Sequence, residues 1–348
     1  MALNASTKAR VRCEAPVSMT NWAVPAVIIV AVEYLFSLAV GAWVGFRYEI
    51  PFATYMVLGL TFAGIGAALI ILVDLARYAV QREKSPARRL ARDAPYILSF
   101  VAAVLLCSSQ IAALTWTKVM LPIASPFWAD PLLANLDHAI FQADPWRIAH
   151  SLFWWAEPFL DRAYVTWAPL KFATVLVLAL VPESTQKSRA FISYFLMFAG
   201  VSIGQYCLSS GGPLFYHQLG FGSRFDAMPI EPWVAEARNY LWHDYVHAGG
   251  DIGGGISAMP SLHVGAALWM ALVWGSYDRR AGWIGLAYFA LIAIGSVLLG
   301  WHYAVDGLAA SAIVAAAWKL ALPLASSARQ GRAVVPVSGE ALTSMTPI

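Results

Sequence analysis

The chain has 348 residues, of which 59% are hydrophobic and only 12% are charged, with a formal net charge of +3. Soluble domains carry about 25% charged residues, so this composition excludes an ordinary soluble protein. The few cations form no basic stripe of the kind that binds nucleic acid, and no nucleic-acid partner is expected. The expected partner is the lipid bilayer.

Eight apolar segments follow one another along the chain. Each is predicted to cross the membrane as a helix, because backbone polar groups in hydrocarbon need partners within their own segment. The segments lie at about 21–46, 53–76, 95–121, 164–182, 188–210, 258–276, 282–300 and 303–325. The predicted fold class is therefore all-α, a polytopic membrane helix bundle of about eight transmembrane helices.

The positive charges orient this bundle. With a cytoplasmic N-terminus, 15 Lys and Arg side chains fall in connections on the cytoplasmic side and 6 on the opposite side, as the positive-inside rule requires. The connections 122–163 and 211–257 then lie outside the cytoplasm, and the apolar stretch 132–155 is predicted to lie at the interface as a short amphipathic helix. The Ala- and Arg-rich composition favours a bacterial inner membrane, with both termini cytoplasmic.

One chemical motif follows the glycine run 253–255. It reads Ser-Ala-Met-Pro-Ser-Leu-His-Val-Gly at 257–265. Ser257 is predicted to cap a helix whose first turn contains Pro260. A helix N-terminus preceded by flexible glycines is an anion site, so Ser257 and Ser261 are candidate phosphate ligands beside His263.

The second motif reads Gly-Trp-His-Tyr-Ala-Val-Asp at 300–306 and opens the last predicted helix. His302 and Asp306 are four residues apart and share a face, so the carboxylate can hold one imidazole nitrogen and leave the other free to attack. Both motifs fall at the outer ends of their helices. The motifs predict a displacement at phosphorus, because they bring together two imidazoles, a carboxylate and a helix N-terminus. One histidine would attack phosphorus and the other would protonate the leaving oxygen.

Together these motifs resemble the second and third signature motifs of the type-2 phosphatidic acid phosphatase superfamily, which includes lipid phosphatases, lipid phosphotransferases and vanadium haloperoxidases. The resemblance implies that His302 is the nucleophile, Asp306 its orienting partner and His263 the general acid and then base, with no metal and no cofactor. It covers a six-helix core at 95–325. The rest of the chain divides into a cytoplasmic segment at 1–20, two additional helices with a basic loop at 21–94, and a disordered tail at 326–348.

Basic residues of the superfamily's motifs are missing from this sequence. If Pro213 fills the proline position of the first motif, Gln205 and Gly212 replace its Lys and Arg. Gly212 is then a candidate phosphate ligand. Ser296 replaces the Arg that usually precedes the third-motif histidine by six residues. A phosphodiester carries one negative charge and a monoester about two, so fewer cations suit a diester. The pattern is similar to the inositol phosphorylceramide synthase branch, whose members move a phosphate-bearing headgroup from a phospholipid to a ceramide hydroxyl.

Replacement cations and a metal pair are further candidates. Arg224, in the second outer connection, and Lys171, in the fourth predicted helix, are candidate phosphate ligands; a solvated loop arginine and a snorkelling lysine are the alternatives. His243 and His247 have helical spacing that suits a metal pair, but no third ligand is spaced to match, and an interfacial role is favoured.

The leading hypothesis is a lipid phosphotransferase. It would move a phospho-headgroup from a glycerophospholipid to a lipid alcohol, with a ceramide-type acceptor, through a phosphohistidine intermediate. The long aromatic outer connections favour transfer because they can cover the intermediate and exclude water. The first alternative is hydrolysis of phosphatidate, phosphatidylglycerol phosphate or a polyprenyl pyrophosphate by the same residues. A non-catalytic lipid-binding membrane protein is a minor alternative, against which the intact His-His-Asp set argues.

Overall fold

The computed structural model describes residues 19–46, 51–247 and 253–327. The expected cytoplasmic segment at 1–20 and the expected tail at 326–348 therefore fall almost entirely outside the described residues.

Regular structure in the described ranges is helical, and no strand occurs there. The helices, in chain order, are α1 (Thr20–Val44), α2 (Pro51–Val80), α3 (Pro86–Ala124), α4 (Asp130–Phe141), α5 (Pro145–Phe153), α6 (Glu157–Tyr164), α7 (Trp167–Leu180), α8 (Thr185–Cys207), α9 (Pro232–Val246), α10 (Leu262–Tyr277), α11 (Arg279–Leu298) and α12 (Ala304–Ser327). Short 3-10 turns occur at Trp154–Ala156 and Pro213–Phe215.

Six of these helices, α1, α2, α3, α8, α11 and α12, are long and apolar enough to cross a membrane. Their outward faces carry large apolar side chains such as Leu35 and Leu72, which are 66% and 61% exposed and suit contact with lipid. A seventh span arises if Pro145–Tyr164 and Trp167–Leu180, which meet at a 45° bend, act together. The prediction of a polytopic helical membrane bundle is confirmed.

All eight predicted segments contain a helix, but two of these helices are short. α7 has 14 residues and α10 has 16. At about 1.5 Å per residue, neither reaches across a hydrocarbon core of about 30 Å. The shortening of α10 has a local cause, since its first predicted residues form a loop at the candidate site.

The bundle has two ends that differ in charge. At one end, Glu183 in the link between α7 and α8 accepts hydrogen bonds from Trp22 Nε1 (3.2 Å), near the start of α1, and from Ser99 Oγ (2.5 Å), in the first half of α3. The side chain of Tyr277, the last residue of α10, lies near that of Ser184 at this same end. The basic connection after α2 therefore lies here, and the starts of α10 and α12, with both histidine motifs, lie at the opposite end.

A buried polar cluster joins α1 to the rest of the bundle. The side chain of Glu33, 4% exposed, accepts hydrogen bonds from Gln110 of α3 and from Ser202 of α8, the latter at 2.5 Å. Residue 94, the expected boundary between the two additional helices and the core, lies inside α3. The helix α1 thus shares polar contacts with two helices of the expected core.

Short helices surround the end that carries the histidines. The stretch 132–155, expected to form one amphipathic helix, is divided between α4 and α5. The break follows from Gln142, which adopts a left-handed conformation with φ 59°, and from Pro145, which starts α5. Leu152 and Trp155 are 59% and 69% exposed, and such apolar side chains suit an interfacial position.

Candidate active site

Three loops meet where α10 and α12 begin. They are joined by backbone hydrogen bonds from Ala258 N–H to the Ser210 carbonyl (2.9 Å), from Leu214 N–H to the Gly300 carbonyl (3.1 Å) and from Ser261 N–H to the Asp306 carbonyl (3.2 Å). Gly212 permits the close approach, because its φ is +93° and a Cβ there would lie 2.6 Å from the carbonyl oxygen of Trp301. The loop after α8 therefore supports the segment that carries His302.

The imidazole of His302 is buried and held at one nitrogen. Its Nδ1 lies 2.8 Å from the carbonyl oxygen of Ala258, and since a carbonyl only accepts, Nδ1 carries the proton. The carboxylate of Asp306 is farther away, with Oδ2 at 3.5 Å from Nδ1, and this oxygen accepts the backbone N–H of Tyr303 at 2.9 Å. Ala258 thus makes the hydrogen bond that the sequence pattern assigns to Asp306, and Nε2 keeps its lone pair.

The free nitrogen of His302 faces His263. The distance from His302 Nε2 to His263 Nδ1 is 3.2 Å, so His263 Nδ1 donates. The His263 ring stacks on Tyr164, with centroids 4.9 Å apart, and meets the edge of Trp167 at 4.4 Å. A phosphorus atom does not fit between nitrogens this close. Any attack on phosphorus by His302 Nε2 would therefore require the His263 ring to turn away first.

One carboxylate of α4 caps the helix that follows His302. Asp137 accepts the backbone N–H groups of Ala304 (2.7 Å) and Val305 (3.0 Å). These N–H groups lie in the first turn of α12 and have no acceptor within the helix, and a carboxylate is favoured at such a helix start. Burial raises the pKa of Asp137 to about 6, although the two backbone donors act in the opposite direction.

A second carboxylate of α4 holds the loop after α8. Asp130 accepts the N–H groups of Gly211 (2.9 Å) and Gly212 (2.8 Å) and the hydroxyl of Tyr303 (2.9 Å). Burial raises the pKa of Asp130 to about 6, while these donors favour the ionised form. Asp130 and Asp137 are two helical turns apart on one face, and this spacing is the sequence signal that could have identified them.

A cavity of about 330 Å³ opens beside the two histidines. His263, His302, Ser257 and Lys118 contribute to its wall. The rest of the lining is mostly apolar and aromatic, including Tyr164, Trp167, Phe215, Trp233, Leu241 and Trp301. A smaller cavity of about 130 Å³ shares Lys118, Ser257 and His263 with the first. The imidazoles of His263 and His302 therefore face a largely apolar space with few polar groups.

The profile of the PAP2 superfamily matches residues 133–320, more than half of the chain, and the match includes both histidine motifs. The chain belongs to the PAP2 superfamily. Membership supports a function of the lipid phosphatase or phosphotransferase type and confirms the superfamily expected from the motifs, without distinguishing its branches. No curated protein and no solved structure matches the chain.

The two serines of the second PAP2 motif have different places. Ser257 lines the cavity. Ser261, rather than Ser257, caps α10: its Oγ accepts the N–H of Val264 at 3.3 Å. The helix starts later than expected because Met259 N–H donates to the Ser210 side chain at 3.2 Å, which holds this segment in the loop.

Gly212, the candidate phosphate ligand expected in the first motif, does not present a free backbone donor. Its N–H is bonded to Asp130, as described above. Ser296, which stands where the superfamily usually has an arginine, contributes its backbone carbonyl, which accepts the N–H of His302 at 3.1 Å. These positions organise the loops around His302 through backbone contacts.

Arg224 is held at a distance from the cavity lining by its own partners. Its guanidinium donates to Asp144 at 2.5 Å and to the side chain of Asn135 at 2.7 Å. Burial would raise the pKa of Asp144, but its hydrogen bond and ion pair with Arg224 lower it overall. The structure therefore joins Arg224 to α4 and to the segment before α5 rather than to the histidines.

Lys171 lies closer to the site, within an aromatic setting. It is 3% exposed, and its Nζ lies 4.6 Å from the ring centroid of Trp167, 4.8 Å from that of Phe172 and 5.3 Å from that of Phe198. It lines the smaller cavity together with His263. Cation–π contacts of this kind stabilise a buried ammonium group without an acid partner.

The histidine pair of α9 has no geometry that suggests a metal. His243 and His247 stack with centroids 4.1 Å apart, and His247 Nδ1 lies 2.8 Å from the carbonyl oxygen of His243. Across the described ranges, no group of three His, Cys, Asp or Glu side chains is arranged to hold a metal ion.

Proposed function

We propose that this PAP2 superfamily member is a lipid phosphotransferase that moves a phosphate-bearing headgroup from a glycerophospholipid to the hydroxyl of a second lipid. The observation that carries the proposal is the His302–His263 pair. One nitrogen of His302 is fixed as a donor by Ala258 (2.8 Å), and the other lies 3.2 Å from Nδ1 of His263, at the wall of a largely apolar cavity.

In the first step, the Nε2 lone pair of His302 attacks phosphorus. The bond between phosphorus and the diacylglycerol oxygen breaks, and His263, present as an imidazolium and turned toward that oxygen, donates its Nδ1 proton to it and becomes neutral. Diacylglycerol leaves, and the headgroup phosphate remains bonded to His302. The negative charge of Asp306, 3.5 Å from Nδ1, favours the positive charge that develops on the His302 ring.

In the second step, the neutral His263 accepts the proton of the acceptor hydroxyl. The acceptor oxygen attacks phosphorus, and the bond between phosphorus and Nε2 breaks, which returns the lone pair to His302. A ceramide-type lipid fits this role because its hydroxyl lies close to its apolar chains. The three residues then return to their starting protonation states.

Transfer is favoured over hydrolysis by the lining of the cavity. Side chains such as Trp167, Phe215 and Trp301 surround the histidines and leave little polar surface to hold water. The sparse cations around the histidines suit a phosphodiester, which carries one negative charge. Hydrolysis would share the first step and would differ only in the acceptor.

We place the reaction on the outer leaflet of a bacterial inner membrane. The distribution of Lys and Arg supports this side, because the basic connections and the histidine motifs lie at opposite ends of the bundle. Donor and acceptor would both reach the site from the same leaflet.

The test is a reconstituted assay with labelled phosphatidylinositol or phosphatidylglycerol, with and without ceramide. We expect a labelled headgroup on the ceramide, formed in proportion to diacylglycerol release. Release of inorganic phosphate from phosphatidate, with no product that depends on the acceptor, would replace transfer by hydrolysis. The His302→Ala variant is the inactive control for the incubations with and without ceramide.

A further inference from the structure

A lysine that the sequence pattern counted only as an outer positive charge contributes to the catalytic cavity. Lys118 lies near the C-terminal end of α3 and lines the cavity of about 330 Å³ together with Ser257, His263 and His302. It also lines the smaller cavity. Among the described residues, it is the cation that the two cavities share.

The fold holds Lys118 at this place through the glycine run. A Cβ at Gly255 would lie 3.0 Å from Cβ of Lys118 and 3.1 Å from its backbone carbon, and Gly255 has a φ of +80°. Its N–H donates to Asp244 at 2.9 Å. A glycine is therefore needed where the loop before Ser257 packs on α3, and this packing brings Lys118 beside the second motif.

The ammonium group of Lys118 has capacity to bind a ligand. Within the described ranges it takes part in no hydrogen bond or ion pair, although the charge of Asp244 is near enough to interact with it. It is also near enough to His263 to interact electrostatically with the imidazole. The two other candidate cations differ in this respect, since Arg224 is bonded to Asp144 and Lys171 faces aromatic rings.

Resting on the proposed function, we propose that Lys118 binds a non-bridging phosphate oxygen of the donor phosphodiester and so replaces, from a different helix, the basic residues missing from the first and third motifs. A single ammonium matches the single negative charge of a diester. The phosphate would then lie between Lys118 and His302, with His263 turned toward the leaving oxygen.

The test measures binding without turnover. In a His302→Ala background, isothermal titration calorimetry gives the affinity for dihexanoyl phosphatidylglycerol and for dihexanoylglycerol, which has the same acyl chains and no phosphate. Lys118→Met keeps the length of the side chain and removes its charge. We expect it to weaken phospholipid binding about 10- to 100-fold and to leave diacylglycerol binding unchanged. Lys118→Arg should restore part of the affinity.

Arg147→Gln is the matched control. Arg147 is an exposed cation outside the lining of both cavities and lies over the ring of Trp146. Its variant should bind both lipids like the parent, which separates a direct contact from a general loss of positive charge.

The outcomes separate this inference from the proposed function. If Lys118→Met binds the phospholipid as tightly as its parent, or loses both lipids equally, Lys118 is not the phosphate ligand, whether or not transfer occurs. If Lys118→Met loses phospholipid binding as expected but the active protein transfers nothing to ceramide, the transferase proposal fails and the Lys118 assignment stands. If the His302→Ala parent binds no phospholipid, both the Lys118 assignment and the transferase proposal are overturned.

Discussion

The Nε2 atom of His302 and the Nδ1 atom of His263 lie 3.2 Å apart, on side chains 39 residues apart in the chain. In this contact His263 Nδ1 donates a hydrogen bond to the lone pair of His302 Nε2. The same proton is the one that a leaving oxygen would receive. The two histidines therefore have separable roles, which a change of leaving group can distinguish.

His302→Ala should reduce phospholipid turnover by about a thousandfold or more, because it removes the lone pair that we propose attacks phosphorus. His263→Ala should cause a similar loss with phospholipid. With an activated diester that releases 4-nitrophenolate, which needs no protonation, His263→Ala should keep its initial burst within about tenfold of wild type, and His302→Ala should show none. The burst is read by absorbance. Equal losses of the burst in both variants would contradict these roles.

Asp306→Asn should have a moderate effect. In a Ser-His-Asp triad, the corresponding change costs about 10⁴ in kcat because the wrong tautomer forms. Here the carbonyl of Ala258 fixes the tautomer of His302 at 2.8 Å, so we expect kcat to fall by only about 10- to 100-fold, with KM nearly unchanged. A loss near 10⁴ would show that Asp306, and not Ala258, determines the tautomer.

The stability of the protein should depend on Asp130 between pH 7.5 and 5. Burial raises the pKa of Asp130 to about 6 from its ordinary value of 3.8. In this range the folded state binds a proton that the unfolded state does not, so lowering the pH from 7.5 to 5 stabilises the fold by about 1.4 kcal/mol through this group. Thermal unfolding in detergent should show a smaller rise of Tm in Asp130→Asn than in wild type as the pH falls. Parallel pH profiles would contradict the raised pKa.

Gly212→Ala should disturb the segment that carries His302, since its Cβ would lie 2.6 Å from the carbonyl oxygen of Trp301 at a φ of +93°. Gly220→Ala is the control, because Gly220 has a similar φ of +83° but nothing within 4 Å of a Cβ. The control should lose about 1 kcal/mol of stability from backbone strain alone and keep its activity. The Gly212 variant should lose more stability and most of its turnover. Matching Tm and activity in the two variants would contradict the contact.

Much of the fold could be predicted because lipid imposes a simple rule. A segment of about 20 apolar residues needs a helix, and positive charge indicates its direction. The two motifs could be found because each is local in the chain, and helix geometry relates His302 to Asp306. These features depend on short sequence windows.

The supporting contacts could not be predicted in the same way. Ala258 holds His302 through its backbone carbonyl, and any residue type could supply that carbonyl, so the sequence does not indicate it. Asp130 reaches residues more than 80 positions away, and Arg224 is paired with Asp144 across a similar separation. Lys118 is a lysine at the end of an apolar helix in the sequence, and only packing of the glycine run places it beside His263. Partners of this kind depend on tertiary structure.

The hydrogen bonds of Glu33 bear on how the protein can be shortened. A truncated chain that began at α3 would retain the region matched by the superfamily profile, but it would leave Gln110 and Ser202 facing lipid without their acceptor. Helix α1 therefore supplies polar contacts that stabilise the bundle, and a chain that begins at α3 should be unstable when expressed.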